Sequence, residues 1–183
     1  DGLFVNAEKL ADELRELEPE NRNLESYTAL IEEGLKKQSI DLLASEISRN
    51  RKNESFDVAL QLVNKLLGID PTNRFANEAG EWLASIIRLN SEISGLLLDG
   101  SRLADPNVAM YAEKILGQAQ NFEEVEVTTN IAGQLERLLQ DYQTPIEIRV
   151  YSNNIARIEI RGVGYIEPTE SKIVMLQPGK YTL

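Results

Sequence analysis

Neither cysteine nor histidine occurs among the 183 residues. That double absence excludes more chemistry than any residue present suggests. Without thiols there are no disulfides, no thiolate zinc sites and no cysteine nucleophile. Without imidazole there is no histidine metal ligand and no scheme in which histidine is the base. Lack of cysteine suits the cytosol and a bacterial periplasm alike. Aromatics are few, with Trp82 the single tryptophan, so no Trp-lined sugar groove is expected. Positive charge is also in the minority: the formal net charge is −11, with Lys and Arg scattered among more numerous carboxylates. DNA, RNA and anionic lipid are therefore poor partners. No apolar run approaches the roughly 18 residues of a membrane span, and no secretory signal is visible. The chain opens on Asp1 rather than Met and stops inside a β-rich run. It reads as a piece of a longer protein, with any membrane anchor upstream.

What is present is apolar periodicity, and it changes period once. Hydrophobic residues make up 42% of the chain, enough for a real core. Up to about Gln143 they recur at helical spacing. From Pro145 the run IEIRVYSNNIARIEIRG alternates apolar and polar residues, and SKIVMLQPGKYTL follows with a Pro-Gly turn. The expected fold is α+β and mostly α: about six or seven helices in hairpins over 1–144, then a small antiparallel β module over 145–183.

Along the helical part, Leu3, Ala7, Leu10, Leu14 and Leu17 make a stripe at alternating steps of four and three, ended by Pro19. A second helix is expected over 24–37, weakened by Gly34 and Ser39 before Leu42, Leu43 and Ile47. The polar run at 48–55 reads as a loop. A helix over 56–68 stops at Gly68, and Asp70 or Thr72 caps the next. That one runs from about 73 to 99, burying Ala76, Ala79, Leu83, Ile86, Ile87, Ile93 and Leu97, with Asn90-Ser91 as a candidate break. Asp105-Pro106 reads as an N-cap with Pro in the first turn. Helices over 106–119 and 122–142 complete the set. Strands are expected at 146–151, 155–161 and 171–176, with a kink at Gly162/Gly164 and a turn at Pro178-Gly179. Pro-Gly favours a type II turn with positive φ at Gly179.

The helical part repeats itself. ALQLVNKLLGIDPTNR at 59–74 aligns without gaps with AEKLADELRELEPENR at 7–22, pairing Ala59 with Ala7, Pro71 with Pro19 and Asn73 with Asn21. LADPN at 103–107 is a third echo, with Asn107 following Asn73 by 34 residues, one helical-hairpin period. The phrase FDVALQLVNKLLGIDPTNRFA resembles the second helix and exit turn of a tetratricopeptide repeat. The resemblance implies that Ala59 is a tight helix contact and that Pro71 ends the hairpin. The family's aromatic and glycine are missing at Leu43 and Ile47, and 52 residues separate Ala7 from Ala59, so a regular superhelix is not expected.

The tail resembles a PEGA-type module, a small β domain of bacterial envelope proteins, through IEIRVYS, IEIRGVG and above all LQPGKYTL. The Pro-Glu-Gly-Ala tetrapeptide itself is absent. The resemblance implies a turn at Pro178-Gly179, with Tyr181 packing on the module's core and Tyr181 and Leu183 starting a further strand.

Candidate chemistry is sparse. Glu32-Glu33 and the Glu123, Glu124, Glu126 cluster are neighbours on helices that point apart, a solvated surface rather than a facing acid pair. Gly162-Val163-Gly164 lacks the helix and the Lys-Ser/Thr of a phosphate loop and reads as a bulge or bend. Neither cofactor nor metal is expected, and no catalytic residue is assigned. Trp82 and Tyr111 are candidate aromatic anchors on a concave surface, with plain core packing as the alternative. The Leu10/Leu14 stripe is a candidate for self-association if no following helix covers it. Together these readings suggest a non-enzymatic interaction or scaffold segment of an envelope protein, anchored in the inner membrane and displayed in the periplasm. The compartment comes from the PEGA resemblance. The alternative is a peptidoglycan- or carbohydrate-binding module that stacks Tyr151 and Tyr165 on sugar rings.

Overall fold

A computed structural model describes residues 3–179, 181 and 182, with side chains from Asn6 onward. The fold is mostly helical with a small antiparallel strand module at the C-terminal end. Helices run α1 Leu3–Leu17, α2 Leu24–Lys52, α3 Phe56–Ile69, α4 Arg74–Leu98, α5 Pro106–Ala119 and α6 Glu126–Gln143. Short 3-10 turns at Gly100–Ala104 and Gln120–Phe122 precede α5 and α6. Strands follow as β1 Ile146–Tyr151, β2 Ile158–Ile160, β3 Gly164–Ile166 and β4 Ser171–Leu176. The chain forms two compact units, 1–87 and 88–183, with the division falling inside α4.

In the first unit α1, α2 and α3 follow one another as hairpins, and the start of α4 packs on α3. Phe56, Ala59, Leu62, Val63 and Leu66 line the buried face of α3 at helical spacing. Val63 and Gly80 bring α3 and α4 close: a Cβ on Gly80 would lie 3.2 Å from Val63 Cγ1. Leu3 of the predicted α1 stripe lies outside the described side chains. The rest of the stripe divides. Ala11, which the sequence pattern passed over, is buried and Leu14 half-buried, whereas Leu10 is 63% and Leu17 81% exposed.

The repeat has a counterpart in hydrogen bonds. At the end of α1, Glu18 N donates to Leu14 O, Asn21 N to Glu18 O, and Asn21 Nδ2 to Glu18 Oε2 at 3.0 Å. At the end of α3, Asp70 N donates to Leu66 O, Asn73 N to Asp70 O, and Asn73 Nδ2 to Asp70 Oδ2 at 3.2 Å. The two turns are the same device, with Pro19 and Pro71 at its second position. The third echo is not: there Asp105 accepts from Asn107 N at 2.8 Å and starts a helix instead of leaving one. The cap of α4 is neither Asp70 nor Thr72 but Asn73, whose Oδ1 accepts from Ala76 N at 3.0 Å.

Three expected interruptions are helical. α2 passes through Gly34 and Ser39, and the predicted loop at 48–55 begins only after Lys52. Ser39 and Ser48 donate to the carbonyls of Leu35 and Ala44, and Asn50 Nδ2 to Glu46 O, so these polar side chains bond within the helix instead of breaking it. α4 has no break at Asn90-Ser91, and Asn90 Oδ1 accepts from the hydroxyl of buried Thr128 at 2.8 Å. Ile87 and Leu97 are half-buried, not buried.

The second unit has an apolar core of Leu89, Ile93, Leu103, Ala112, Ile115, Leu135 and Leu139, drawn from α4, the turn after it, α5 and α6. In the strand module β1 pairs antiparallel with β4, Ile148 opposite Val174, and β2 pairs antiparallel with β3, Ile158 opposite Ile166. Ile160, Ile166 and Leu176 are the buried centre, flanked by Ile148, Val150, Ile158 and Val174. The predicted strand 155–161 shortens to 158–160, and β3 was not foreseen.

Two expectations at the module's turns are corrected. Gly179 has no positive φ; among the described residues the glycines that do are Gly162 at +81° and Gly164 at +147°. Gly162 is the third residue of the β2–β3 turn, closed by Val163 N to Ile160 O at 3.0 Å, where a type II turn demands that conformation. Tyr181 is 38% exposed, and its hydroxyl donates to Gln177 O at 2.8 Å, bracing the Pro178-Gly179 bend rather than filling the core. Arg161 N donates to Thr182 O at 3.1 Å, which places Thr182 beside the end of β2. Leu183, expected in that strand, lies outside the described residues. Gly162→Ala is expected to cost about 1–2 kcal/mol, the penalty of a left-handed conformation, while Gly179→Ala changes thermal stability by less than about 0.5 kcal/mol. Equal losses in paired melts would overturn the assignment of the strained turn.

Candidate functional site

Tyr111 is the predicted anchor that the fold places in a concavity. Asp105 caps α5 and fixes its first turn, which sets Asn107, Val108 and Tyr111 on one face. Glu92, Gly95 and Leu96, at helical spacing on α4, form the facing wall, and Arg102 comes from the turn between them. These seven residues line an open cleft of about 420 Å³. Tyr111 is 43% exposed, and its hydroxyl is hydrogen-bonded to the Glu92 carboxylate. Partial desolvation, then the Glu92 bond and charge, push the phenol above its usual range, so it stays a neutral donor. Arg88 Nε lies 4.0 Å from Glu92 Oε1. The cleft therefore offers one donor–acceptor pair, one guanidinium and an apolar floor. That set can hold a polar side chain or a peptide group.

Trp82 is part of the packing of the first unit. Its ring meets Phe56 edge to face, centroids 5.8 Å apart, and the Arg51 guanidinium carbon lies 4.3 Å from its ring centroid. Ala59 is fully buried on α3, between Phe56 and Val63. Pro71 is exposed in a turn organised by Asp70, whose carboxylate accepts from Thr72 N and Oγ1 and from Asn73 Nδ2. The Thr72 hydroxyl and then the Asn73 amide hold the Asp70 carboxyl below its usual range.

Tyr151 and Tyr165 lie on the module's solvent side, 70% and 56% exposed. One face of Tyr165 is covered: the Arg157 guanidinium carbon lies 3.9 Å from its centroid and pairs with Glu167 at 3.2 Å. Only Tyr151 keeps both ring faces without a charged cover among the described residues. No group of three or more acidic side chains is arranged to hold a metal ion among the described residues.

The sequence pattern points to Tyr111 but not to Glu92, Arg102 or Asn107 as parts of this site. These three come from separate elements, and no local motif joins them. The single sequence signal was Arg88 four residues before Glu92, a common surface pair. Compared with protein families, curated proteins and solved structures, the chain matches none.

Proposed function

We propose that the chain is a non-enzymatic protein-interaction or scaffold segment of a bacterial cell-envelope protein, displayed in the periplasm, with tetratricopeptide-like hairpins carried on a PEGA-like module. One observation carries the interaction reading. The α1–α2 hairpin leaves Leu10, Leu17, Tyr27 and Leu30 exposed, large apolar side chains on two adjacent helices. Large apolar side chains left exposed on two neighbouring helices are what a protein-interaction surface requires. The duplicated exit turns after α1 and α3 support the repeat reading. Periplasmic display is supported by the PEGA resemblance alone, through IEIRVYS, IEIRGVG and above all LQPGKYTL. Among the described residues no helix is long and apolar enough to cross a membrane, so in this reading the membrane is reached through an anchor outside residues 1–183. Arg157 over Tyr165 occupies one ring face of a tyrosine that the peptidoglycan-binding alternative would stack on sugar.

The test is binding through α1. Leu10→Glu puts a charge on the exposed apolar surface without touching the buried Ala11. Capture from envelope extracts by the parent chain, followed by identification of the retained protein, is expected to lose its specific partner with Leu10→Glu while the circular dichroism spectrum stays unchanged. Equal retention by both chains, or no retained protein, would sink the proposal.

A further inference from the structure

Among the described residues, strand β1 is paired on one side only. Its register with β4 continues to Ser152 opposite Glu170, and Ser152 N donates to Glu170 O at 3.1 Å. In an antiparallel ladder the residues that exchange bonds recur at every second position. Ile146, Ile148, Val150 and Ser152 therefore turn their backbone groups toward β4. Glu147, Arg149 and Tyr151 turn theirs the other way, to an edge on which no strand lies among the described residues. Glu147 and Arg149 are exposed, and neither makes an ion pair among the described residues.

An open edge is a template for another strand, and the pattern of β1 is its own complement. Two copies running antiparallel with Ile148 facing Ile148 place Glu147 opposite Arg149 twice and Ile146 opposite Val150 twice. Glu147 and Arg149 are the residues with outward backbone groups, so each such pair exchanges two backbone hydrogen bonds. Moving the register by two residues sets Arg149 against Arg149 in one direction and Glu147 against Glu147 in the other. Moving it by one sends the apolar side chains to the polar face. The Ile148-centred register alone satisfies backbone, apolar face and charge together.

We propose that β1 is a self-association strand: a second copy of this chain adds across its free edge in the Ile148-centred register, forming a four-stranded sheet β4–β1–β1–β4 about a two-fold axis. This surface is separate from the exposed leucines of α1, and the proposal does not depend on the scaffold reading.

Sedimentation velocity of the full chain over a concentration series, at low and high salt, tests it. The parent is expected to dimerise reversibly, less tightly at high salt. Arg149→Glu places Glu against Glu twice, and Glu147→Arg places Arg against Arg twice. Each is expected to weaken self-association about tenfold or more, from the loss of two cross-strand pairs and their replacement by repulsion. Mixing the two variants restores opposite charge at every position, so a heterodimer is expected at least as tight as the parent dimer. The double variant Glu147→Arg/Arg149→Glu recovers the parent behaviour, and Leu10→Glu leaves it unchanged. A parent that stays monomeric, single variants that associate like the parent, or a mixture that remains monomeric would each overturn the proposal. Loss of association with Leu10→Glu alone would assign it to α1 instead.

Discussion

Leu135→Ala is expected to destabilise the second unit by about 2–5 kcal/mol, the cost of emptying a fully packed leucine site. Leu135 is fully buried on α6, in a core that also contains Ile93 from α4, Leu103 from the following turn and Ile115 from α5. Those neighbours sit on separate elements, so no single side chain is free to swing into the void. Collapse would require helices to shift together, which places the cost toward the upper part of the range. Leu138, three residues along the same helix, is only half-buried, and Leu138→Ala should cost less than half as much. Urea denaturation followed by circular dichroism checks the pair. Equal midpoints for the two variants would mean that α6 is not seated as described.

Much of the fold was legible because burial follows period. The α5 positions Ala109, Ala112 and Ile115 and the α3 positions Ala59, Leu62 and Leu66 are buried at the spacing their sequence shows. The change to period 2 at Pro145 marks the start of β1. α2 was harder. It has little amphipathic contrast, and among its 29 residues only Leu24 and Ile47 are buried. Its polar residues looked like loop because side-chain bonds to the preceding turn leave no mark on hydropathy. β3 escaped because Gly164-Tyr165-Ile166 is a three-residue strand opening on a glycine, too short to show alternation. The Pro-Gly turn was misjudged for a different reason. A type II turn is a preference of the dipeptide, and here the Tyr181 hydroxyl on Gln177 O holds a bend without left-handed backbone. The stripe on α1 shows how two readings of one helix compete. Heptad spacing selects Leu10 and Leu14, but the structure buries Ala11, half-buries Leu14 and leaves Leu10 exposed. The cleft beside Tyr111 was illegible beyond that one residue, because its walls come from elements joined only by the fold.

Ala59→Leu separates a tight helix contact from an ordinary buried alanine. Ala59 has no exposed surface, and the α3 face on which it lies is in close contact on both sides of it. One turn earlier Phe56 meets Trp82, and one turn later Val63 faces Gly80, where even a single added carbon would sit at 3.2 Å. With α3 held at both points, three extra carbons at position 59 have no cavity to enter. The expected cost is about 1–3 kcal/mol of overpacking, which for a chain of this length lowers the melting temperature by roughly 2–4 °C for each kcal/mol. Trp82 is the single tryptophan and packs on Phe56, one turn from Ala59, so a shift of α3 should change its emission in the native state before any unfolding. Ala59→Ser, nearly the same volume, serves as the size control and is expected to leave the emission spectrum unaltered. A leucine variant whose melt and emission both match the parent would show that α3 and its neighbours have room at this position, and the tight-contact role that the repeat resemblance assigns to Ala59 would fall with it.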